Sequence, residues 1–378
     1  MFIVLVIKMK PYKLTIVNDQ RLYSGISSHI YKIHRNLMQH RVSTELYQFL
    51  ISNSKLEVDN VSIKYGWLHN INDNLKYIYS AKLALNFLTG ANWRSFKNVS
   101  SDILLLSGPT LLPLTRYNHK SIVIGHDLYF HDHLGGSRVL ARYMKKKYCQ
   151  FKDAELIIVD SYFTKNEFID KLGLEESKIR VVYPYVDTEL FHPGTSNIRD
   201  LLKISDKDVL ILSVGGDNPN KNIETILRLM RLLPSNFKLV RVGPNFNTLG
   251  MISSLNLNDR VILLGNIDIG LLSRLYMGCD ILLFPSLYEG FGIPLIEAMA
   301  SGIPFITSDR CSLPEVAGDS GIVCDPFDLE SMLSTIMHLI QDEGYKEKII
   351  RKGLERANYF SAENQFQSLQ KAIDQLYI

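Results

Sequence analysis

The stretch 281–304, ILLFPSLYEGFGIPLIEAMASGIP, constrains this chain more tightly than any other. Its first four residues are continuously apolar, as expected of a strand covered on both faces of a parallel sheet. Gly290 and Gly292 come next, where the backbone must turn; they allow geometry that side-chain-bearing residues resist and leave amides open to a ligand. Pro294 suits the first turn of a helix and Gly302 its C-terminal end. Strand, turn and helix in this order are the repeating unit of an α/β fold. The free N–H groups of the helix start, with the positive end of its dipole, form an anion site. Glu289 lies in the turn and Glu297 about one turn into the helix, so both carboxylates face one pocket mouth. Phosphate at the helix start and carboxylates beside it suit a phosphorylated, hydroxyl-rich ligand such as a nucleotide sugar.

The rest of the chain repeats the alternation. Strand-like runs stand at 13–18, 103–106, 121–125, 156–160 and 179–183 in the first half. The second half restarts at 209–214 and continues at 237–242, 261–264, 281–284, 304–307 and 321–324, with helical patterns between most of them. Between the halves, HPGTSN at 192–197 is turn-rich and reads as a linker. The end, 359–378, reads as a helical tail. In doubly wound domains the loops after the carboxyl ends of the strands build the site.

A length of 378 residues suggests two or three domains, and 46% hydrophobic with 21% charged residues is ordinary for a globular protein. The net charge of +3 is too small to argue for nucleic acid. Cys149, Cys279, Cys311 and Cys324 are far apart and form neither a disulfide framework nor a metal motif, so a reducing cytoplasm is the expected setting. The apolar start 2–7 is too short to span a bilayer and is followed by no small-residue cleavage site. Met9 opens the first strand pattern, so residues 1–8 read as a dispensable extension.

The pattern around Glu289 and Glu297 resembles the signature of retaining glycosyltransferases of family four, which have the GT-B fold: two glutamates separated by seven residues around a Gly-Phe-Gly turn. DILLLSGPTLLPL from Asp102, SIVIGHDLYF from Ser121, the segment 156–193 and SLPEVAGDSGIVCDPFD from Ser312 match that family in order. The resemblance implies two Rossmann-like domains facing across a cleft, 1–195 on the acceptor side and 196–358 on the nucleotide-sugar side, with 359–378 crossing back to the first. It implies transfer of a hexose from a nucleoside-diphosphate sugar to a saccharide or lipid-linked hydroxyl. No cofactor and no required metal are expected.

Residue by residue, the resemblance makes His126, Lys221 and Glu289 the catalytic group. His126 and Glu289 would touch the transferred sugar and Lys221 the diphosphate. Glu297 would hold the ribose hydroxyls, and the amides of Gly290, Phe291, Gly292, Ile293, Pro294 and Leu295 mark the sugar and diphosphate side, Pro294 contributing ring rather than N–H. Gly215, Gly216 and Asn220 surround the lysine in GGDNPNKNI, a glycine-rich turn running into a helix. Gly25 would let the first loop approach the phosphates, and Gly265, Asn266 and Ile267 would lie near the base. The family's partner arginine is absent: its usual places hold Gly216 and Asn220.

Rival readings stay open. The absent arginine favours a non-catalytic GT-B subunit; a nucleotide-sugar epimerase and a base glucosyltransferase share the fold. The histidines and aspartates of HDLYFHDH, 126–133, could suggest a metal, although crowded ligands in a polar loop are poor zinc geometry. Asp206–Lys207–Asp208 precedes a strand and reads as surface. Arg138, Arg142, Lys145 and Lys146 share a helix face, with Lys147 adjoining, which is a solvated face or a contact with an anionic membrane.

Overall fold

The computed structural model describes residues 14–18, 32–33, 35–36, 44–48, 64–65, 103–106, 120–132, 138–244 and 248–377. The first-loop position Gly25 and the cluster member His133 lie outside them. Among the described residues the strands form two all-parallel sheets. In the first, β1 (Leu14–Asn18), β2 (Thr44–Gln48), β3 (Lys64–Tyr65), β4 (Ile103–Leu106), β5 (Lys120–Gly125), β6 (Leu156–Val159) and β7 (Ile179–Val181) lie in the order 3-2-1-4-5-6-7. In the second, β8 (Val209–Val214), β9 (Phe237–Val242), β10 (Val261–Gly265), β11 (Ile281–Phe284), β12 (Phe305–Ser308) and β13 (Ile322–Cys324) lie in the order 10-9-8-11-12-13.

The continuous apolar runs are explained by two-sided burial. Along β5 and β6, Ile122, Ile124, Leu156 and Ile158 enter one core layer, while Val123, Ile157 and Val159 enter the opposite one. Successive side chains of a strand point to opposite faces, so a strand covered on both sides must be apolar throughout. The second sheet does the same: Leu210, Leu212, Leu282 and Phe284 face one layer, Ile211, Ile281 and Leu283 the other.

The helices that carry site residues or pack around them are α1 (Arg138–Cys149), α2 (Tyr162–Leu172), α3 (Ile223–Leu232), α4 (Ile269–Gly278), α5 (Ile293–Ser301), α6 (Leu313–Ala317) and α7 (Ala362–Asp374). Helix α7 carries Phe366, Leu369, Ala372 and Ile373 into the core layer of Ile33, Ile103, Leu105, Ile122 and Ile124, so the end of the chain packs against the first sheet. Asn36 donates to the Ala362 carbonyl at 2.8 Å and fixes the start of that helix. On α1, Arg142, Lys145 and Lys146 are exposed while Tyr148 is buried, so this part of the basic stripe lies on the surface. No helix among the described residues is long and apolar enough to cross a membrane.

Strand ends differ from the sequence reading by one residue, or by two at β7, which stops at Val181 rather than 183. The run expected at 304–307 begins at Phe305, because proline brings no N–H to the ladder; its carbonyl still accepts from Leu282 at 3.0 Å. β2 and β3, which the apolar patterning did not single out, extend the first sheet beyond β1. In each sheet the strand order reverses at one place, between β1 and β4 and between β8 and β11. A crevice opens at such a switch point, outside the carboxyl ends of the two strands. The loops leaving β8 and β11 carry Lys221 and Glu289.

Candidate active site

The two loops at the second switch point are stitched together before any ligand arrives. Asn220 Nδ2 donates to the Tyr288 carbonyl at 2.9 Å, and Leu287 N–H donates to the Asn220 carbonyl at 2.7 Å. Asn220, expected to touch the donor, thus holds one loop to the other. The Asn222 side chain donates to the Pro285 carbonyl at 3.1 Å and caps nothing itself; its φ of 52° turns the chain into α3. This bracing brings Lys221 Nζ to 2.6 Å from Glu289 Oε1, with both side chains largely shielded. The ammonium also lies 5.5 Å from the Phe284 ring centroid. Lys221 and Glu289, 68 residues apart, are paired with each other.

Glycine is required at two positions here. A Cβ on Gly290 would stand 1.9 Å from the His126 carbonyl oxygen, so the turn after β11 touches the loop after β5 backbone to backbone. Gly292 has φ of 107° and heads α5, whose first turn receives no side-chain cap. Pro294 carries no N–H and Leu295 N–H donates to the Gly292 carbonyl at 2.9 Å, so the donors this helix start can offer an anion are the N–H groups of Gly292 and Ile293. Phe291 points the other way, into a cluster with Tyr183 and Phe360, and anchors the turn.

The first sheet contributes through His126 and a residue that motif reading missed. His126 Nδ1 lies 2.6 Å from Asp160 Oδ2, and both side chains are about nine-tenths shielded. β5 and β6 run parallel with Gly125 opposite Val159, so the next residue on each strand is His126 and Asp160. Register was the signal that could have found the pair. Beside them burial pushes the Asp127 carboxyl above its usual range, the N–H of Tyr129 pulls it back, and Glu289 adds to the rise. His126, Asp127, Asp160, Lys221 and Glu289 thus form one electrostatic group.

Glu297 makes its contacts elsewhere. It is buried on α5 near the Tyr276 hydroxyl of α4, which donates to the Pro294 carbonyl at 3.4 Å, and sits in the field of Lys32. Desolvation raises its pKa, and Lys32 and Tyr276 partly oppose the rise. Gly265 has φ of 59° and its carbonyl accepts from Gly243 N–H at 2.7 Å; Asn266 is exposed and Ile267 half-buried. Of the crowded 126–133 loop, His131 packs edge-on against Tyr148 at 5.8 Å, and no group of three or more metal-ligating side chains gathers among the described residues. Asp206 and Lys207 are exposed and Asp208 half-buried, before β8.

Contacts across the two sheets' loops complete the site. Ser161 and Thr164 hydroxyls donate to the Gly290 carbonyl at 2.6 and 3.0 Å. The Tyr288 hydroxyl accepts from Leu128 N–H at 3.0 Å and donates to Glu167 on α2. Burial and Glu167 both push the Tyr288 pKa up, so the hydroxyl keeps its proton.

With that geometry in place, two family profiles cover the chain in succession: Glycosyltransferase Family 4 over residues 23–190 and Glycosyl transferases group 1 over residues 195–356. The chain belongs to glycosyltransferase family four. Among relatives of the family-four chain, O-antigen chain mannosyltransferase B of Escherichia coli is 30% identical over 59% of this chain and 61% of its own length. O-antigen chain mannosyltransferase RfbU of Salmonella typhimurium is 28% identical over 70% of each chain. The serotype-specific mannosyltransferase WbdA of Escherichia coli is 25% identical over 87% of this chain but only 44% of the relative. The chain therefore spans less than two thirds of the length of some of the curated relatives it matches. Sucrose-phosphate synthase from Thermosynechococcus elongatus superposes with a TM-score of 0.80 at 18% identity, covering 97% and 99% of the two chains. HepE from Anabaena, solved in complex with UDP and glucose, gives 0.76 at 16% identity over 96% and 100%. At such identities these structures establish the GT-B fold of the family-four chain.

Proposed function

We propose that this chain is a metal-independent, retaining hexosyltransferase that moves a mannosyl residue from a nucleoside-diphosphate mannose to a saccharide or lipid-linked hydroxyl. The pairing of Lys221 with Glu289 at 2.6 Å, at the sheet's switch point, carries the reading. A donor separates that pair usefully: the ammonium meets the diphosphate, and the carboxylate meets sugar hydroxyls. The uncapped start of α5 adds backbone donors to the same phosphate. Mannose is favoured because the O-antigen relatives are mannosyltransferases.

The chemistry rests on charge. The bond between the anomeric carbon and the diphosphate oxygen breaks, and negative charge grows on that oxygen. Lys221 and the α5 amides stabilise the growing charge, which is electrostatic preorganisation. The acceptor oxygen attacks the face the diphosphate leaves and passes its proton to the departing phosphate, so the configuration is kept. His126, braced by Asp160, orients the sugar, and closure of the cleft limits hydrolysis.

The test is nucleotide release by the purified chain with GDP-mannose, UDP-glucose and UDP-N-acetylglucosamine, each with a mixed saccharide acceptor, in EDTA. Release with GDP-mannose and an α-linked product by NMR is expected. A requirement for Mg²⁺ or Mn²⁺ would overturn metal independence. Donor binding without turnover would favour the non-catalytic subunit, for which the uncharged Gly216 and Asn220 speak.

A further inference from the structure

A guanidinium lies beneath the turn that leaves β8. Arg241, near the carboxyl end of β9, is fully buried. Its Nη2 donates to the Gly216 carbonyl at 2.6 Å, its Nη1 donates to the Val242 carbonyl, and its Nε is buried with no partner among the described residues. Both hydrogen bonds go to backbone, and a buried charge is ordinarily paired with an opposite one. Burial pushes the guanidinium down to about 10, and Asp217 only partly offsets this. Such a group gains from any anion brought near it.

The turn above is shaped to present that anion to backbone donors. Gly243 has φ of 123°, and a Cβ there would stand 1.8 Å from the Gly215 oxygen. The carbonyls of Gly215 and Gly216 thus face the floor formed by Gly243 and Arg241. No peptide among the described residues is cis. In a trans peptide the carbonyl and the following N–H point in opposite directions. The N–H groups of Gly216 and Asp217 therefore face away from the floor. Successive amides so arranged make an anion-binding concavity.

The charge count requires a further cation. Lys221 is matched by Glu289, so that pair contributes no net charge to a diphosphate. Gly216 and Asn220, on the turn itself, carry none, and Asp217 between them adds a negative charge that Arg241 must also offset. We propose that Arg241 is a positioning residue for the donor diphosphate: it holds the Gly215–Gly216 turn with amides outward and supplies from below the positive charge that the turn lacks. This rests on the transferase reading for the identity of the donor, but the anion site itself can be probed without a sugar.

The experiment is calorimetry with inorganic pyrophosphate, GDP, UDP and the corresponding nucleosides on wild type, Arg241→Met and Arg241→Met/Gly216→Arg. A Cβ at Gly216 meets nothing nearer than Asn218 Nδ2 at 3.7 Å, so an arginine there can reach the same phosphate from above. Arg241→Met should weaken pyrophosphate and nucleoside diphosphates by about tenfold or more, which is 1.4 kcal/mol, and leave nucleosides unchanged. The double variant should recover most of the loss. Should Arg241→Met fail to melt cooperatively, Arg241→Lys, which keeps the charge without the two-carbonyl fork, should show a smaller loss confined to the same ligands. Unchanged diphosphate affinity, equal loss of nucleoside and diphosphate, or no recovery in the double variant overturns the inference alone. Arg241-dependent pyrophosphate binding with no turnover of any sugar donor overturns the transferase reading alone. A wild-type chain that binds neither pyrophosphate nor a nucleoside diphosphate overturns both.

Discussion

At the scale of single residues, Lys221 is expected to act on rate, whereas Glu297 is expected to set nucleotide binding against stability. Removing one preorganised charge partner costs roughly 10²–10³ in rate, so Lys221→Ala should lower kcat far more than it raises the donor KM. Steady-state kinetics on a folded variant checks this, and near-normal turnover would show that another cation serves the diphosphate. Glu297 is a raised carboxyl, so it binds its proton more tightly folded than unfolded. Its contribution is fully present below the unfolded pKa and is lost as pH rises through the folded one. Glu297→Gln should therefore raise Tm at pH 8 but not at pH 4. The same change should weaken nucleotide binding by about 1.5–3 kcal/mol through loss of charge-assisted bonds to ribose. Melting curves at the two pH values and calorimetry read the two effects separately. For His126, Asp160→Asn should lower kcat by about tenfold, or 1.4 kcal/mol, with little change in donor KM. An unaltered kcat would leave Asp160 with a packing role only.

At the scale of elements, one helix is capped by another part of the fold. The first-turn amides of α2, Tyr162 and Phe163, donate at 2.8 and 3.0 Å to the two carboxylate oxygens of Glu315 on α6, and the Tyr183 hydroxyl joins at 2.7 Å. Ser161 caps the same helix locally through Thr164 N–H. A carboxylate at a helix start satisfies orphan donors and meets the positive end of the dipole. Here it also ties the loops of one sheet to those of the other. Glu315→Ala should cost about 0.5–2 kcal/mol and speed hydrogen exchange at the Tyr162 and Phe163 amides. Exchange at those amides as slow as in wild type would mean that the cross-sheet cap holds nothing. Such a cap was not legible in the sequence, because Glu315 lies 153 residues from Tyr162 and nothing local marks it. The start of α5 was legible, since Gly292 and Pro294 act within one turn of the helix they begin.

At the scale of the whole molecule, the last helix completes the core of the first sheet. Phe366, Leu369 and Ile373 are buried against β4 and β5. Burying a large apolar side chain is worth about 1.5–3 kcal/mol, so three of them approach the roughly 5–15 kcal/mol that holds a typical protein folded. Deleting residues 362–378 should abolish cooperative melting of the first-sheet half and promote aggregation. Calorimetric scans of the shortened chain check this, and an unchanged two-half melting profile would show that α7 is an accessory.

What the sequence determined by itself was the layout of elements and the second-sheet motif. Continuous apolar runs specify strands buried on both faces, and glycine and proline specify the turn and helix start between Phe284 and Leu295, because these effects act within a few residues. It also marked Lys221 and Glu289 through their places in glycine-rich turns. Tertiary structure decided who meets whom. The order of the strands placed the loops of β8 and β11 at a switch point and joined Lys221 to Glu289. Parallel register set His126 beside Asp160, and it set Arg241 opposite Ser213, one residue before the end of β8, under the turn that leaves that strand. Arg241 went unmarked in the strand run FKLVRV, and its partners are backbone carbonyls, which carry no residue identity to read. Burial then reset the charges, raising Asp127 and Glu297 and lowering Arg241, because desolvation depends on what surrounds a group and not on its neighbours in the chain.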